Sequence, residues 1–564
     1  MDCRSGIFIS CGGSSYIKQK KERNETMKAK RLLAVLMCCL TACTMVACGG
    51  GTGEDEPIDP TKTQLYVSNY DGGFGDEWLR TAGDRFEELH KDDVLEEGKT
   101  GIQVRLVNAK KQGNQILDEM LTSTAEVFFT EGLPYRDGAL QDYFLDITDA
   151  VTTPLTEYGE TDSIEGKMTE QQQNWFKVNG RYYAIPHYEG YYGMFYDIDT
   201  FDTRNLFMTD TGTFTNYAGR GKGADGVAGT YDDGLPVNMT QFFKLLDEMK
   251  RQGMAAIGWP GANPRYMSDM LVNYSAAYEG YAQTMLNYTF KGSAENLITL
   301  SGSTVVEDAE ALPINESNGY ELRRQAGKYY ALEFAERIID GNYYSSGSFN
   351  QTSDYLDSQT KYLTSAFENN GAKEIGILID GTWWENEASS IFESMAKRYP
   401  GSGKGERRFG IMPFPMPDGE ESRSQSSAVV EHLMSAAFIN KNIADYKKDL
   451  AIDFIRFCAT DESLIEFTKI TSAPKAFQYD LTTQLSELTY FGQQVWSFKQ
   501  NSKVVYKFSD TPLYYMNTNY FQNNNWESGI QTVPSVALEE GMSSEDYFKG
   551  MYSTAQTSWA NLIQ

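Results

Sequence analysis

The chain has 564 residues, 13% of them aromatic, and a formal net charge of −28. That length exceeds what one hydrophobic core supports, so two lobes or domains are expected. The acidity, with no Lys/Arg cluster in the body of the chain, excludes nucleic-acid binding, which needs a basic face. Tyrosine is abundant, with 36 residues, and its polar-tipped ring suits wet, polar ligands.

Residues 1–26 are expected to be a mis-annotated start. Met27 opens a better one, and Lys20-Lys21-Glu22-Arg23 can be encoded by a purine run typical of a ribosome-binding site. A peptide from within 1–26 in the mass spectrum of the native protein would overturn this. Residues 27–47 read as a signal peptide: Lys28, Lys30 and Arg31, a short apolar run over 32–40, then small residues. The run is too short for a membrane span. Met45-Val46-Ala47-Cys48 resembles the bacterial lipobox. That resemblance implies cleavage before Cys48, lipidation of its thiol, and anchoring at the extracellular face of the cytoplasmic membrane. Only Cys458 would accompany Cys48 in the mature chain, so no disulfide is expected. Residues 48–63, rich in Gly, Glu, Asp and Pro, read as a flexible tether.

The body begins with a strand over 65–70, a Gly-rich loop over 71–75, and a helix whose apolar face is Trp78, Leu79, Ala82, Phe86 and Leu89. A strand over 102–107, a short helix over 116–121 and a strand over 127–129 follow. This β-α-β-α-β order predicts parallel strands with right-handed crossovers. Ligands of such sheets sit beyond the carboxyl ends of the strands. Tyr70, Phe74 and Glu131 lie there and are candidate ligand residues. The stretch from Arg181 to Asp197 is aromatic and broken by Pro186, Gly190 and Gly193, as suits a chain passing between lobes. His187 and Tyr188 within it are candidate ligand residues, His187 reading as structural rather than catalytic.

Residues 223–234 form an Asp/Gly-rich loop, where Asp225, Asp232 and Asp233 are candidate ligands of a structural Ca²⁺. The spacing is not that of an EF-hand, and a solvated turn explains the composition equally well. A helix over 240–251 leads to a short strand at 257–258 that runs into a turn, with Trp259 and Tyr266 in the loop that follows. Residues 275–372 read as packed helices. Ile375-Gly376-Ile377-Leu378-Ile379 lacks alternation and reads as a strand buried on both faces, ending at Asp380-Gly381. Trp383 and Trp384 follow at its carboxyl end. One indole is expected in a site and the other in a core, and the sequence does not choose between them. A strand running into a Pro-rigid crossing over 409–417, a helix over 444–459 and a largely helical 484–564 complete the chain.

Four stretches together resemble the extracellular solute-binding proteins of ABC importers, in the carbohydrate-binding branch that includes maltose-binding protein. They are Tyr183-Ala184-Ile185-Pro186 through Tyr196-Asp197; Gly381-Thr382-Trp383; Phe409-Gly410-Ile411-Met412-Pro413-Phe414-Pro415-Met416-Pro417; and Leu450-Ala451-Ile452-Asp453-Phe454-Ile455 with Thr460-Asp461-Glu462. The resemblance spans 62–564. It implies a two-lobe α/β fold of the type II periplasmic-binding-protein kind, with mixed sheets flanked by helices and a ligand cleft between lobes. The implied lobes are 64–185 with 430–476, and 186–429 with 477–564. Trp383 then matches a sugar-stacking tryptophan, Tyr266 and Trp526 further stacking aromatics, and Glu131 with Asp380 hydroxyl-binding carboxylates. Thr382 stands where the family commonly has Pro. The implied role is a monomeric, non-enzymatic binding protein that carries an oligosaccharide to a membrane permease. A secreted glycan hydrolase or lyase, or a glycan sensor or adhesin, are the alternatives, and an aromatic cleft also serves peptides. The hydrolase reading lacks Gly-x-Ser-x-Gly, His-Glu-x-x-His and phosphate-loop signatures, and the chain has only three His.

Overall fold

Segments without polar alternation need cover on both faces, and here they build two mixed sheets. The computed structural model describes residues 57–109, 114–120, 122–132, 135–302, 304–368, 373–426, 428–517, 521 and 532–563. The signal segment, Cys48 and Trp526 lie outside the described residues. The first sheet takes β1 (Thr63–Tyr70), β2 (Ile102–Ala109), β3 (Val127–Thr130) and β4 (Ala184–Pro186). The second takes β5 (Tyr192–Asp197), β6 (Ala255–Gly258), β7 (Ile375–Gly381) and β8 (Phe409–Met412). The chain then forms β9 (Ala428–Glu431) and returns to the first sheet as β10 (Ala436–Ile439).

The first sheet is ordered β2-β1-β3-β10-β4 and the second β6-β7-β5-β8. β1 runs parallel to β2 and β3, as the alternating order requires. β10 runs antiparallel to both its neighbours. In the second sheet β6 and β7 are parallel, and β5 is antiparallel to β7 and β8. β7 is buried at every position and ends at Gly381.

Helices cover these sheets with faces set by their apolar spacing. α1 (Glu77–Leu89) buries Trp78, Leu79, Ala82 and Phe86. α2 (Met239–Arg251) starts where the Asn238 side chain accepts the Gln241 N–H, and it buries Phe242, Phe243, Leu245, Leu246 and Met249. α3 (Arg265–Thr289) is broken at Gly280, whose φ of 74° and ψ of 174° suit glycine alone. α4 (Tyr355–Thr364) lies against β7, and α5 (Asp445–Cys458) and α6 (Asp461–Thr471) belong with the first sheet.

Two regions differ from the sequence expectation. Within 275–372 the chain forms antiparallel pairs, Gly292–Ala294 with Leu312–Ile314 and Ile298–Ser301 with Thr304–Glu307. The Ile298-Thr299-Leu300-Ser301 stretch alternates buried and exposed, a two-residue period that outweighs the helical context. In the C-terminal part β11 (Lys503–Tyr506) pairs in parallel with β9. Its partner lies far away in sequence, so no local pattern announces it.

Candidate functional site

Trp383 stands two residues beyond the end of β7 and keeps 6% of its surface exposed. Its ring meets Tyr192 edge-on at 5.0 Å and Phe74 at 6.4 Å. Tyr192 in turn stands edge-on to Tyr266 at 5.2 Å and to His432 at 5.0 Å. Phe74, in the loop after β1, lies 4.4 Å from the Tyr188 ring. The Tyr188 hydroxyl donates to Glu131 Oε1 at 2.6 Å, at the carboxyl end of β3. Burial, then the charges of Glu131, just after β3, and Glu387, beyond β7, raise the Tyr70 hydroxyl pKa. Loops at the ends of β1, β3, β5 and β7 thus bring one aromatic group and several carboxylates together.

The polar side of the group is built around Gln359 of α4. Its Nε2 donates to Asp380 Oδ2 at 3.2 Å and to Glu387 Oε2 at 2.7 Å. Asp380 also accepts its neighbour Gly381 N–H through Oδ1 at 2.7 Å. Burial, and secondarily the Glu387 charge, hold the Asp380 carboxyl well above the usual carboxylate range. A carboxyl biased toward its protonated form can donate as well as accept.

The two tryptophans part ways. Trp384 is fully buried and packs against Phe409 at 4.9 Å, Phe491 at 5.4 Å and Tyr362 at 5.7 Å. Trp259 is likewise fully buried, against Phe349 at 5.2 Å and Tyr344 at 5.9 Å. Both are core residues of the second sheet's side rather than members of the group around Trp383. His187 is buried among Trp78, Phe129 and Tyr188, with Nδ1 2.6 Å from Lys475 Nζ. Burial and the Lys475 charge lower its pKa, so it sits in the core as neutral imidazole. Gln359, Glu387 and Tyr192 were not singled out from sequence. Glu387, one helical turn beyond Trp383, carried the only local hint.

No protein-family profile matches the chain, and no curated protein sequence does. Solved structures match over most of its length. The GacH receptor of Streptomyces glaucescens, described with acarbose bound, has a TM-score of 0.54 at 12% identity, covering 89% of this chain and 98% of its own. The solute-binding protein RafE, in complex with raffinose, gives 0.52 at 13% identity over 88% and 99%. Maltose-bound MalE3 of T. maritima gives 0.51 at 14% identity over 88% and 99%. The fold is the two-lobe binding-protein fold.

The group around Trp383 draws on segments that follow strands of both sheets. The connections between sheets lie side by side. Glu189 N–H donates to Pro474 O at 3.1 Å, Ala476 N–H to His187 O at 3.2 Å, and His432 N–H to Gly190 O at 3.1 Å. Glu189 accepts the hydroxyls of Tyr191 and Tyr506 and pairs with Lys499 at 2.9 Å. Glu431 accepts the N–H groups of Leu433 at 2.7 Å and Met434 at 2.9 Å. Burial pushes its carboxyl up to about 7.

A second set of contacts joins the segments after β1 and β7 near this group. Asn386 Nδ2 donates to Gly73 O at 3.0 Å, and Lys404 Nζ donates to Asn386 Oδ1 at 2.9 Å and to Ile470 O at 3.3 Å. Gly73 is required here, because a Cβ would collide with the Trp383 ring.

The Asp/Gly loop is closed by its own backbone. Asp232 Oδ2 accepts the N–H groups of Ala224 at 2.7 Å and Asp225 at 3.0 Å, and Asp233 Oδ2 accepts Gly229 N–H at 2.8 Å. Asp225 Oδ1 accepts Val227 N–H at 2.7 Å. The carboxylates that a Ca²⁺ would need are therefore turned to the loop's amides. Among the described residues no group of three or more His, Cys, Asp or Glu could hold a metal ion. Nor is any described helix long and apolar enough to cross a membrane.

Proposed function

We propose that this chain captures an oligosaccharide between its two lobes and delivers it to the permease of an ABC importer, held at the outer face of the membrane by a lipid on Cys48. The observation that carries the reading is the convergence on Trp383 of Tyr192, Phe74 and Tyr266 with Asp380, Gln359, Glu387 and Glu131. A flat apolar ring beside a row of hydrogen-bonding groups is what a pyranose needs, since its faces are C–H and its rim is hydroxyl. Solved structures of the same fold hold acarbose, raffinose and maltose, which supports a sugar as cargo. Closure by a hinge accounts for the Asn386–Gly73 and Lys404–Ile470 contacts, which join lobes at a distance from the connecting strands. The carboxyls of the site are engaged with Gln359 and Tyr188, which supports binding rather than turnover.

The test is a titration of the mature body, from about Thr61, with plant, host and microbial oligosaccharides, read by tryptophan fluorescence and product analysis. A saturable change with one glycan class and no product is expected. Silence across the panel in folded protein would sink the sugar reading, and release of shorter glycans would make the chain a hydrolase or lyase.

A further inference from the structure

We infer that the second lobe carries a separate oxyanion-binding pocket at the far end of its sheet. A cavity of about 440 Å³ is lined there by Lys250, Lys361 and Lys373 together with Ser345, Ser346 and Thr364. Its floor includes Ala255 and Ile375, the first residues of β6 and β7. Trp383 lies beyond the last residue of β7, so the pocket and the cleft are separated by the length of that strand, about 20 Å.

The charge pattern sets this pocket apart. The chain has 78 Asp/Glu against 50 Lys/Arg, so a basic side chain has carboxylates to spare. Yet the three ammonium groups, from α2, α4 and the residue two before β7, gather on one cavity. Lys250 Nζ donates to Gly341 O at 2.8 Å and Lys361 Nζ to Ser353 Oγ at 3.0 Å. Those partners are neutral, and no ion pair of Lys250, Lys361 or Lys373 occurs among the described residues. The carboxylates close by are committed elsewhere. Glu374 pairs with Arg204, and Asp247 accepts the Tyr343 hydroxyl at 2.6 Å.

Each ammonium offers three donors, and one neutral acceptor leaves donors over. Three such groups and three hydroxyls make a cradle for a multiply charged oxygen anion. The cavity falls within the about 300–1,000 Å³ of small-molecule sites, too large for a bare phosphate. Met254, Ala255, Ala256 and Ile375 supply an apolar floor for an organic body. The ligand class is therefore a small phosphate ester.

The test is calorimetric titration of the mature protein with glucose 6-phosphate, inorganic phosphate and glucose. Glucose 6-phosphate is expected to bind one-to-one, more tightly than phosphate, with an affinity that falls as salt is raised. Lys250→Gln with Lys361→Gln should weaken it at least about tenfold, while Trp383→Ala leaves it unchanged. All three lysines are exposed, so the variants should keep the wild-type melting temperature, and Lys373→Gln alone serves as a milder second variant. No saturable heat with either phosphate probe, or equal affinity in the lysine variants, overturns the proposal. Loss in Trp383→Ala would move the phosphate ester to the cleft and overturn it as well.

Discussion

Replacing Trp383 by alanine is expected to weaken glycan binding by roughly 2–3 kcal/mol, about 30- to 150-fold, and to lower stability as well, because the residue is only 6% exposed. Replacing Trp384 is expected to act through stability alone, lowering unfolding free energy by about 3–5 kcal/mol, the range for a buried aromatic cut to alanine. Two adjacent residues of one type can differ this far because their rings point into different environments. Trp383 meets Phe74 of the loop after β1, whereas Trp384 is enclosed by Phe409, Phe491 and Tyr362 within one core. The measurements are a fluorescence titration and urea denaturation of both variants. If Trp383→Ala binds like wild type, stacking at this indole is not the source of affinity. Gly73→Ala is the companion experiment. It keeps the indole in the chain but puts a methyl into the space of the Trp383 ring, so the ring or the loop that holds the Gly73 O–Asn386 Nδ2 contact must shift. It should therefore lower affinity without unfolding the protein.

This divergence marks the boundary of what sequence could supply. The strands β1, β3, β7 and β8 and the helices α1, α2 and α5 were legible because an unbroken apolar run or a 3.6-residue stripe states which faces are covered. The fold class followed from their order. The indoles were not separable, because two consecutive tryptophans have one composition and one hydropathy. Only the turn after Gly381, which starts a short helix at Trp384, decides which ring enters the core. Gln359 was invisible for a different reason. It sits on a helix of mixed polarity, and its role comes from being fully buried beside Asp380 and Glu387, a juxtaposition between α4 and the end of β7. β11 was read as helical because its four residues gain their ladder from β9, some seventy positions earlier. Trp259, beyond a short strand and beside Pro260 and Gly261, had the sequence context of a cleft aromatic, but Phe349 and Tyr344 close over it.

The connecting strands should make stability depend on pH through Glu431. Its carboxyl is fully enclosed, and burial raises it from 4.5 to about 7. The N–H groups of Leu433 and Met434 and the Lys507 charge oppose that rise, and Glu189 adds to it. A carboxyl whose folded pKa exceeds its unfolded value binds its proton more tightly when folded. Its contribution to stability is therefore complete below about pH 4.5 and is lost as pH rises through about 7. The span corresponds to about 3 kcal/mol. Glu431→Gln keeps an acceptor for a backbone N–H and removes the titration. The expected result is a difference in unfolding free energy between variant and wild type that is near zero at pH 4.5 and grows to about 3 kcal/mol in the variant's favour by pH 8. Comparing the two proteins at each pH cancels the many surface carboxylates they share. A flat difference would mean that Leu433, Met434 and Lys507 hold Glu431 ionised throughout. A rising one would mean that the hinge is strained by its own charge at neutral pH. That strain falls on the segment between β9 and β10, where His432 also receives the edge of Tyr192 from the ligand group. The ionisation of Glu431 and the closure of the cleft then act on the same few residues.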